Sequence, residues 1–413
     1  MIIEQPDTTV AAPGQVSLRP GRAAQSGRTG AVVIGGDYLG LGIVRSLGRR
    51  GIPVCVIDDE RSIAGRSRYT THRVHVPDLR DPYRTVAELV QTGRRLGLDG
   101  WVLFPTRDET VAALSKNRDE LAALYRVPVP GWEVIRWAWD KRNTYQLASF
   151  LGIPTPRTWY PRTVGELDQV DGEPPFALKP GVKEKFFYAT KAKAWRADSR
   201  QQLAELFEQA TDVAGQGEIM VQELIPGGGE QQFAYGAFCR DGQPVGSMTA
   251  RRRRQHPPQF GRASTYVETV PAPQIEAYSE RLLREIDYYG LVELEYKLDP
   301  RDGVYKLLDF NARAWGYHSI AQAAGVDLPY LVFADQVGLP VDRQRAATGV
   351  HWVRLVTDTP AVLVELLRGN LTLGEYVRSL RAAHTEAVFS KDDPLPFITE
   401  LALIPYLAMV RGF

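Results

Sequence analysis

Residues 290–311 constrain the fold more than any other stretch. Val292, Leu294 and Tyr296 alternate with Glu293, Glu295 and Lys297, the period of two expected of a strand with one buried face. Asp302 and Gly303 mark a tight turn. A second strand over 304–310 follows, with Asp309 near its end and Asn311 just beyond. Antiparallel pairing of the two brings Glu295 beside Asp309 and Asn311 on one face. Carboxylates so crowded repel one another unless a cation lies between them. Hard oxygen donors of this kind select Mg²⁺, which keeps substrate phosphates as further ligands. Arg313, two residues on, can reach an anionic substrate or a phosphoryl group. Alone, such a hairpin reads as a solvated acidic surface. The rest of the chain argues otherwise.

At 413 residues the chain has room for two or three domains and a sizeable core. Its formal net charge of +1 gives no footing for a nucleic-acid binder. The run Arg251, Arg252, Arg253, Arg254 has no interleaved aromatic platform either. Two cysteines, Cys55 and Cys239, form neither a disulfide framework nor a metal-ligand spacing, so a reducing cytoplasm is expected. No signal peptide is expected, because the N-terminus lacks a basic start followed by an apolar run, and no transmembrane segment, because no apolar run approaches the length a bilayer needs.

Residues 1–27 lack periodicity and are expected to be disordered. A strand at 31–34, a glycine-rich turn, an amphipathic helix and a strand at 54–57 then make a βαβ unit of Rossmann type. Gly35, Gly36, Gly40 and Gly42 do not fit the dinucleotide fingerprint. Two other readings stay open: a tight turn needing small residues, or a helix N-terminus that binds a carboxylate. A helix at 82–96, a strand at 100–104 and a helix at 108–124 continue the alternation, and a boundary falls near Pro128–Pro130. Beyond it come a helix closed by Gly152 and a strand reaching Lys179. A basic, aromatic loop is expected next, then a strand carrying Lys191 and Lys193 and a helix at 198–214. Two strands follow around the glycines of the 222–230 stretch, then an Asp-Gly turn; a helix lies near 360–368, and an apolar, proline-interrupted segment follows at 393–413. That last segment reads as a packed or dimer-forming tail. His318 reads as a satisfied polar residue, and Trp315 and Tyr317 as packing.

Lys141, Lys179, Glu223, Glu230, the arginine run, Glu295, Asp309, Asn311 and Arg313 recur in that order over some 200 residues. Together DK at 140–141, KP at 179–180, QELIPGGGE at 222–230, VELEYK at 292–297 and DFNARAWG at 309–316 resemble the motifs of ATP-grasp enzymes. Within that superfamily the chain is most similar to the D-aspartate ligase-like branch of carboxylate–amine ligases, from Thr29 to about Pro340. The resemblance implies an α/β fold, α+β in the grasp unit: a Rossmann-like domain at 28–130, an ATP-grasp domain at 131–340 whose small lid spans about 155–225, and an extension at 341–413.

It also implies roles. Lys141, Lys179 and Lys193 would contact ATP phosphates, Glu223 and Leu224 would meet adenine and ribose through a hinge, and Glu230 would reach the ribose. Glu295, Asp309 and Asn311 would hold Mg²⁺, with Mn²⁺ as an alternative ion. Arg253 or a neighbour in the run, together with Arg313, would stabilise the acyl-phosphate. Two features depart from the family pattern. Asp309 stands where Glu is usual, and the loop after Lys179 is basic and aromatic instead of glycine-rich, so Lys183, Lys191 or Lys193 would replace backbone donors. The implied reaction is ADP-forming ligation: ATP phosphorylates a carboxylate and an amine attacks the acyl-phosphate. Small carboxylate and amine substrates are implied, with an amino acid and a cell-envelope or peptide precursor as the nearest branch's pair, and a homodimer as a common assembly. Two alternatives stay open: other acceptor chemistry of the carboxylase or carbamoyl-phosphate type, and a non-catalytic nucleotide-binding protein.

Overall fold

The structure is a computed structural model describing residues 28–257 and 263–411; the N-terminal tail lies outside the described residues. The chain begins with four parallel strands, β1 (Ala31–Ile34), β2 (Val54–Asp58), β3 (His72–His75) and β4 (Val102–Pro105), in the order β3-β2-β1-β4. Helices α1 (Tyr38–Gly48) and α2 (Pro82–Leu96) connect them. Each start is written locally. Asp37 caps α1 by accepting from the Leu39 amide, Asp81 caps α2, and Pro82 opens it without losing a bond the helix needs. The helix expected over 108–124 is two, α3 (Asp108–Lys116) and α4 (Arg118–Ala122), because Asn117 leaves the helical region. Gly35 and Gly36 bring backbone against Thr106 and Ser62: a Cβ at Gly36 would lie 1.9 Å from the Ser62 hydroxyl. Close packing against those two hydroxyls is therefore what these glycines serve.

Helices α5 (Trp132–Trp139) and α6 (Lys141–Phe150) follow, broken at Asp140, whose carboxylate caps the second. A small antiparallel sheet comes next, made of β5 (Thr158–Trp159), β6 (Phe176–Pro180), β7 (Trp195–Ala197) and β8 (Ile219–Glu223), in the order β5-β8-β6-β7. The β6–β7 connection is not the loop expected. It is a helix, α7 (Lys183–Thr190), and Lys191 and Lys193 precede β7 instead of riding on it. With α8 (Arg200–Ala214) this unit has its own core around Phe176, Phe186 and Phe207.

The large sheet contains β9 (Gln232–Arg240), β10 (Gln243–His256), β11 (Ala263–Thr269), β12 (Gly290–Asp299), β13 (Val304–Asn311), β14 (Gln344–Arg345), β15 (His351–Val353) and β16 (Thr385–Glu386). Its order is β13-β12-β9-β10-β11-β15-β16, with β14 beside β10. Helices α9 (Pro273–Glu285), α10 (Ser319–Ala323), α11 (Leu328–Gln336), α12 (Leu355–Leu367), α13 (Leu373–Ala382) and α14 (Leu395–Arg411) complete the chain. Gly236 in β9 admits Trp315: a Cβ there would meet the indole at 2.2 Å. Val32, Ile34 and Leu103 of the first sheet share one core with Tyr235, Val292 and Tyr296 of the large one. The chain after residue 340 adds three strands to that sheet and returns to the start of the molecule. The carboxylate of Asp393 accepts from Arg45 (3.0 Å), from the Ser67 hydroxyl (2.7 Å) and from the Arg68 amide (2.9 Å). Among the described residues no helix is long and apolar enough to cross a membrane.

Candidate active site

The β12–β13 hairpin sets the chemistry. Glu295 lies opposite Asp309 and Glu293 opposite Asn311, with a bulge between Glu295 and Tyr296. The Asn311 amide donates to Glu293 (3.0 Å) and Glu295 (3.2 Å). Burial, then the neighbouring Glu295 charge, pushes the Glu293 carboxyl up to about 8. Lys141, at the start of α6, ion-pairs with Asp309. Burial alone would raise the Asp309 carboxyl, but Lys141 and Lys183 hold it below the usual range.

These groups form one wall of a cleft of about 440 Å³ between the small and large sheets. Lys141, Lys179, Lys193, Glu223, Leu224, Glu295 and Asp309 all line it. Lys179 donates to Gln222 (2.7 Å), which in turn donates to Thr158 (2.9 Å), so its ammonium is aimed from the side. Burial, then the Lys141 charge, lowers Lys179 to about 8, and burial lowers Lys193 as well. At the end of β8, Glu223 accepts from the Arg157 amide (2.9 Å) and from Arg301 (2.7 Å). Lys297 holds the segment after it through the carbonyls of Ile225 (2.7 Å) and Gly227 (2.8 Å).

Arg313 and Asn311 lie deeper, beside the first sheet. Arg313 donates to Asn311 (3.2 Å) and, with two bonds of 3.0 and 2.9 Å, to Asp108 at the start of α3. Two expected residues fall elsewhere. Arg253 pairs with Glu268 (2.9 Å), and Glu230 has a side chain 61% exposed. Both face a separate hollow against α12 and α13. In the cleft stands Arg252 instead, 3.3 Å from Glu295. The expectation named Arg253 or a neighbour, and the neighbour is the one in the cleft: adjacent residues of a strand face opposite ways, and four identical residues conceal the phase.

Sequence reasoning also passed over Glu293, Lys297, Gln222 and Asp108. For Glu293 and Lys297 the signal was present, since alternation puts both on the Glu295 face. Gln222 and Asp108 carry no such mark.

The donor set fits a magnesium ion. Two carboxylates and an amide converge, and among the described residues no cluster of three or more His, Cys, Asp or Glu makes a full cage. An ion held by one or two carboxylates takes its other ligands from phosphates and water. Lys141 and Arg252 balance Asp309 and Glu295 in the structure.

No family model matches the chain. D-aspartate ligase of Enterococcus faecium (strain Aus0004) is 24% identical over 247 residues, 57% of this chain and 59% of the ligase. The chain thus matches less than two thirds of that relative's length. Among solved structures, an L-amino acid ligase from Bacillus licheniformis superposes with a TM-score of 0.58 at 17% identity, over 77% of this chain and 76% of that one. The biotin carboxylase domain of Hydrogenobacter thermophilus 2-oxoglutarate carboxylase, solved with MgADP and bicarbonate, gives a TM-score of 0.62 at 14% identity, over 79% and 74%. The chain therefore has the fold of these ligase and carboxylase structures, and over 57% of its length it is similar in sequence to D-aspartate ligase.

Proposed function

We propose that this protein is an ADP-forming carboxylate–amine ligase. One observation carries the reading: three lysines, a carboxylate pair and the hydrogen-bonded segment after β8, far apart in sequence, line a single cleft between two sheets. In this reading Lys141, Lys179 and Lys193 hold ATP phosphates, and Glu223, Leu224 and the hinge carbonyls take the adenosine. Glu295, Asp309 and Asn311 hold Mg²⁺, which would neutralise phosphate charge when bound. Arg252 and Arg313 face the negative charge that develops on the transferring phosphoryl group, and fixed cations in a shielded site stabilise such charge strongly.

The side chains supply position and charge; the nucleotide supplies the activation. ATP's γ-phosphoryl passes to a carboxylate, and an amine displaces phosphate from the acyl-phosphate. The substrates we propose are an amino acid and a cell-envelope or peptide precursor, joined in a reducing cytoplasm that suits the buried free thiols Cys55 and Cys239. The proposed assembly is a homodimer, and the proposed division is 28–130, 131–340 with a lid at about 155–225, and 341–413.

ADP release from Mg²⁺-ATP, measured over a panel of D- and L-amino acids with candidate acceptors, tests the reading. Amino-acid-dependent release is expected, falling at least about 100-fold in Glu295→Gln. A protein that binds no ATP would end it.

A further inference from the structure

Helix α14 has two faces of different kind. Pro396, Glu400 and Leu407 are buried and Leu403 packs against the core, at the spacing of one helical face. The opposite face is exposed and carries Leu395, Ile398, Leu401, Ile404 and Met409, with Ile398 at 58% and Met409 at 79%. Between Leu395 and Met409 every exposed residue is apolar. Glu400 is the one charged residue in that span, and it is turned inward, accepting from Arg354 (2.9 Å). Phe389, 44% exposed, meets Phe397 edge to face and continues the patch. A solvated helix carries charge on its outer face, whereas a contiguous apolar face marks a surface that something covers.

The segment packed along this helix is basic. Residues 61–77 hold four arginines and no aspartate or glutamate. Arg61, Arg66, Arg68 and Arg73 are all exposed. Arg61 lies over the Tyr406 ring, 4.9 Å from its centre, and the turn at Ala64–Arg66 packs on α14. Arg68 donates to the Asp392 carbonyl (3.2 Å), just before the helix begins. Arg73 joins them across Gly65, where a Cβ would lie 2.9 Å from its side chain. The segment thus accompanies α14 from near its end to its beginning. Asp392, the acid at that beginning, already pairs with Arg49 (2.9 Å). The whole chain carries a formal charge of only +1, so this concentration of cations is local.

We infer that α14 and its basic flank form a docking surface for an anionic lipid bilayer, with the helix lying in the interface and not crossing it. The apolar face enters the boundary between headgroups and acyl chains, and the flanking arginines meet lipid phosphates. A second copy of the chain fits this face less well. A two-fold contact sets the same patch against itself, and the described part of α14 exposes no carboxylate to meet the arginines that come with it. A neutral apolar partner would leave the arginines unanswered. The inference stands apart from the ligase reading, because none of these residues lines the cleft.

Flotation of the full chain with vesicles tests this. Vesicles of phosphatidylcholine are compared with vesicles that also hold phosphatidylglycerol, at low and at high salt. Partition onto the anionic vesicles is expected to exceed that onto neutral ones at least about tenfold, and to fall as salt screens the arginines. Arg61→Gln combined with Arg66→Gln is expected to weaken it about 20-fold, roughly fivefold per cation. Ile398→Ser combined with Leu401→Ser is expected to weaken binding to both kinds of vesicle about tenfold or more. All four side chains are exposed, so unfolding temperature and ATP affinity are expected to match wild type in both variants. No partition onto anionic vesicles, or equal partition onto neutral ones, would overturn the inference. So would a wild-type dimer in sedimentation that Ile398→Ser with Leu401→Ser dissociates, since a second copy would then cover the face.

Discussion

Lys179 ends β6 with its ammonium inside the cleft wall. Burial and the neighbouring Lys141 charge lower it to about 8, and burial lowers Lys297, on the facing strand, to about 8 too. The cationic form attracts phosphate, so the sign is fixed. Nucleotide affinity is highest below pH 8 and falls as pH rises through it, by up to about tenfold per unit for each lysine that loses its proton. Calorimetric titration of ATP between pH 7 and 9 measures this slope. Lys179→Met is expected to bind ATP more weakly at pH 7 and to lose the Lys179 share of the slope. A slope unchanged in that variant would mean that the lysine does not meet the phosphates. Much at this scale was legible in the sequence, because lysines and carboxylates at the ends of alternating strands announce their face. Asp108 was not legible, because its place is set by Lys183 and Arg313, which reach it from far along the chain.

Strand β10 shows why elements decide what residues can do. Arg252 and Arg253 differ by one position and point to opposite faces, one toward Glu295 in the cleft and the other toward Glu268 outside it. Arg252→Ala is expected to lower kcat/KM for ADP release about 100-fold or more, as loss of a donor to a developing anion does. Arg253→Ala is expected to stay within about threefold, since an exposed pair contributes little. Steady-state ADP assays on the two variants decide between the faces, and the reverse ranking would return Arg253 to the site. Helix α7 was misread at this scale for a different reason. Its first turn has no side-chain cap, and its residues carry only a weak apolar stripe. It holds because Phe186 enters the core of the small sheet's unit and Lys183 and Tyr188 dock on α3. No local pattern encodes those contacts.

Across the whole molecule, the last segment is part of the first sheet's support. The Arg45–Asp393 pair is almost fully shielded, at 6% and 1% side-chain exposure. Asp393→Ala leaves Arg45 buried without its partner, which costs about 3–5 kcal/mol. Urea denaturation is expected to show that loss as a lower midpoint, and an unchanged midpoint would count against the clasp. The sequence marked residues 341–413 as an extension. It could not mark the clasp, because a pairing over 348 residues leaves no periodic trace. The clasp also sets a clock on synthesis. At about 5–20 residues per second, roughly 17–70 s separate the emergence of Arg45 from that of Asp393. Through that interval the newborn first sheet waits beside an arginine whose counter-charge has yet to be made.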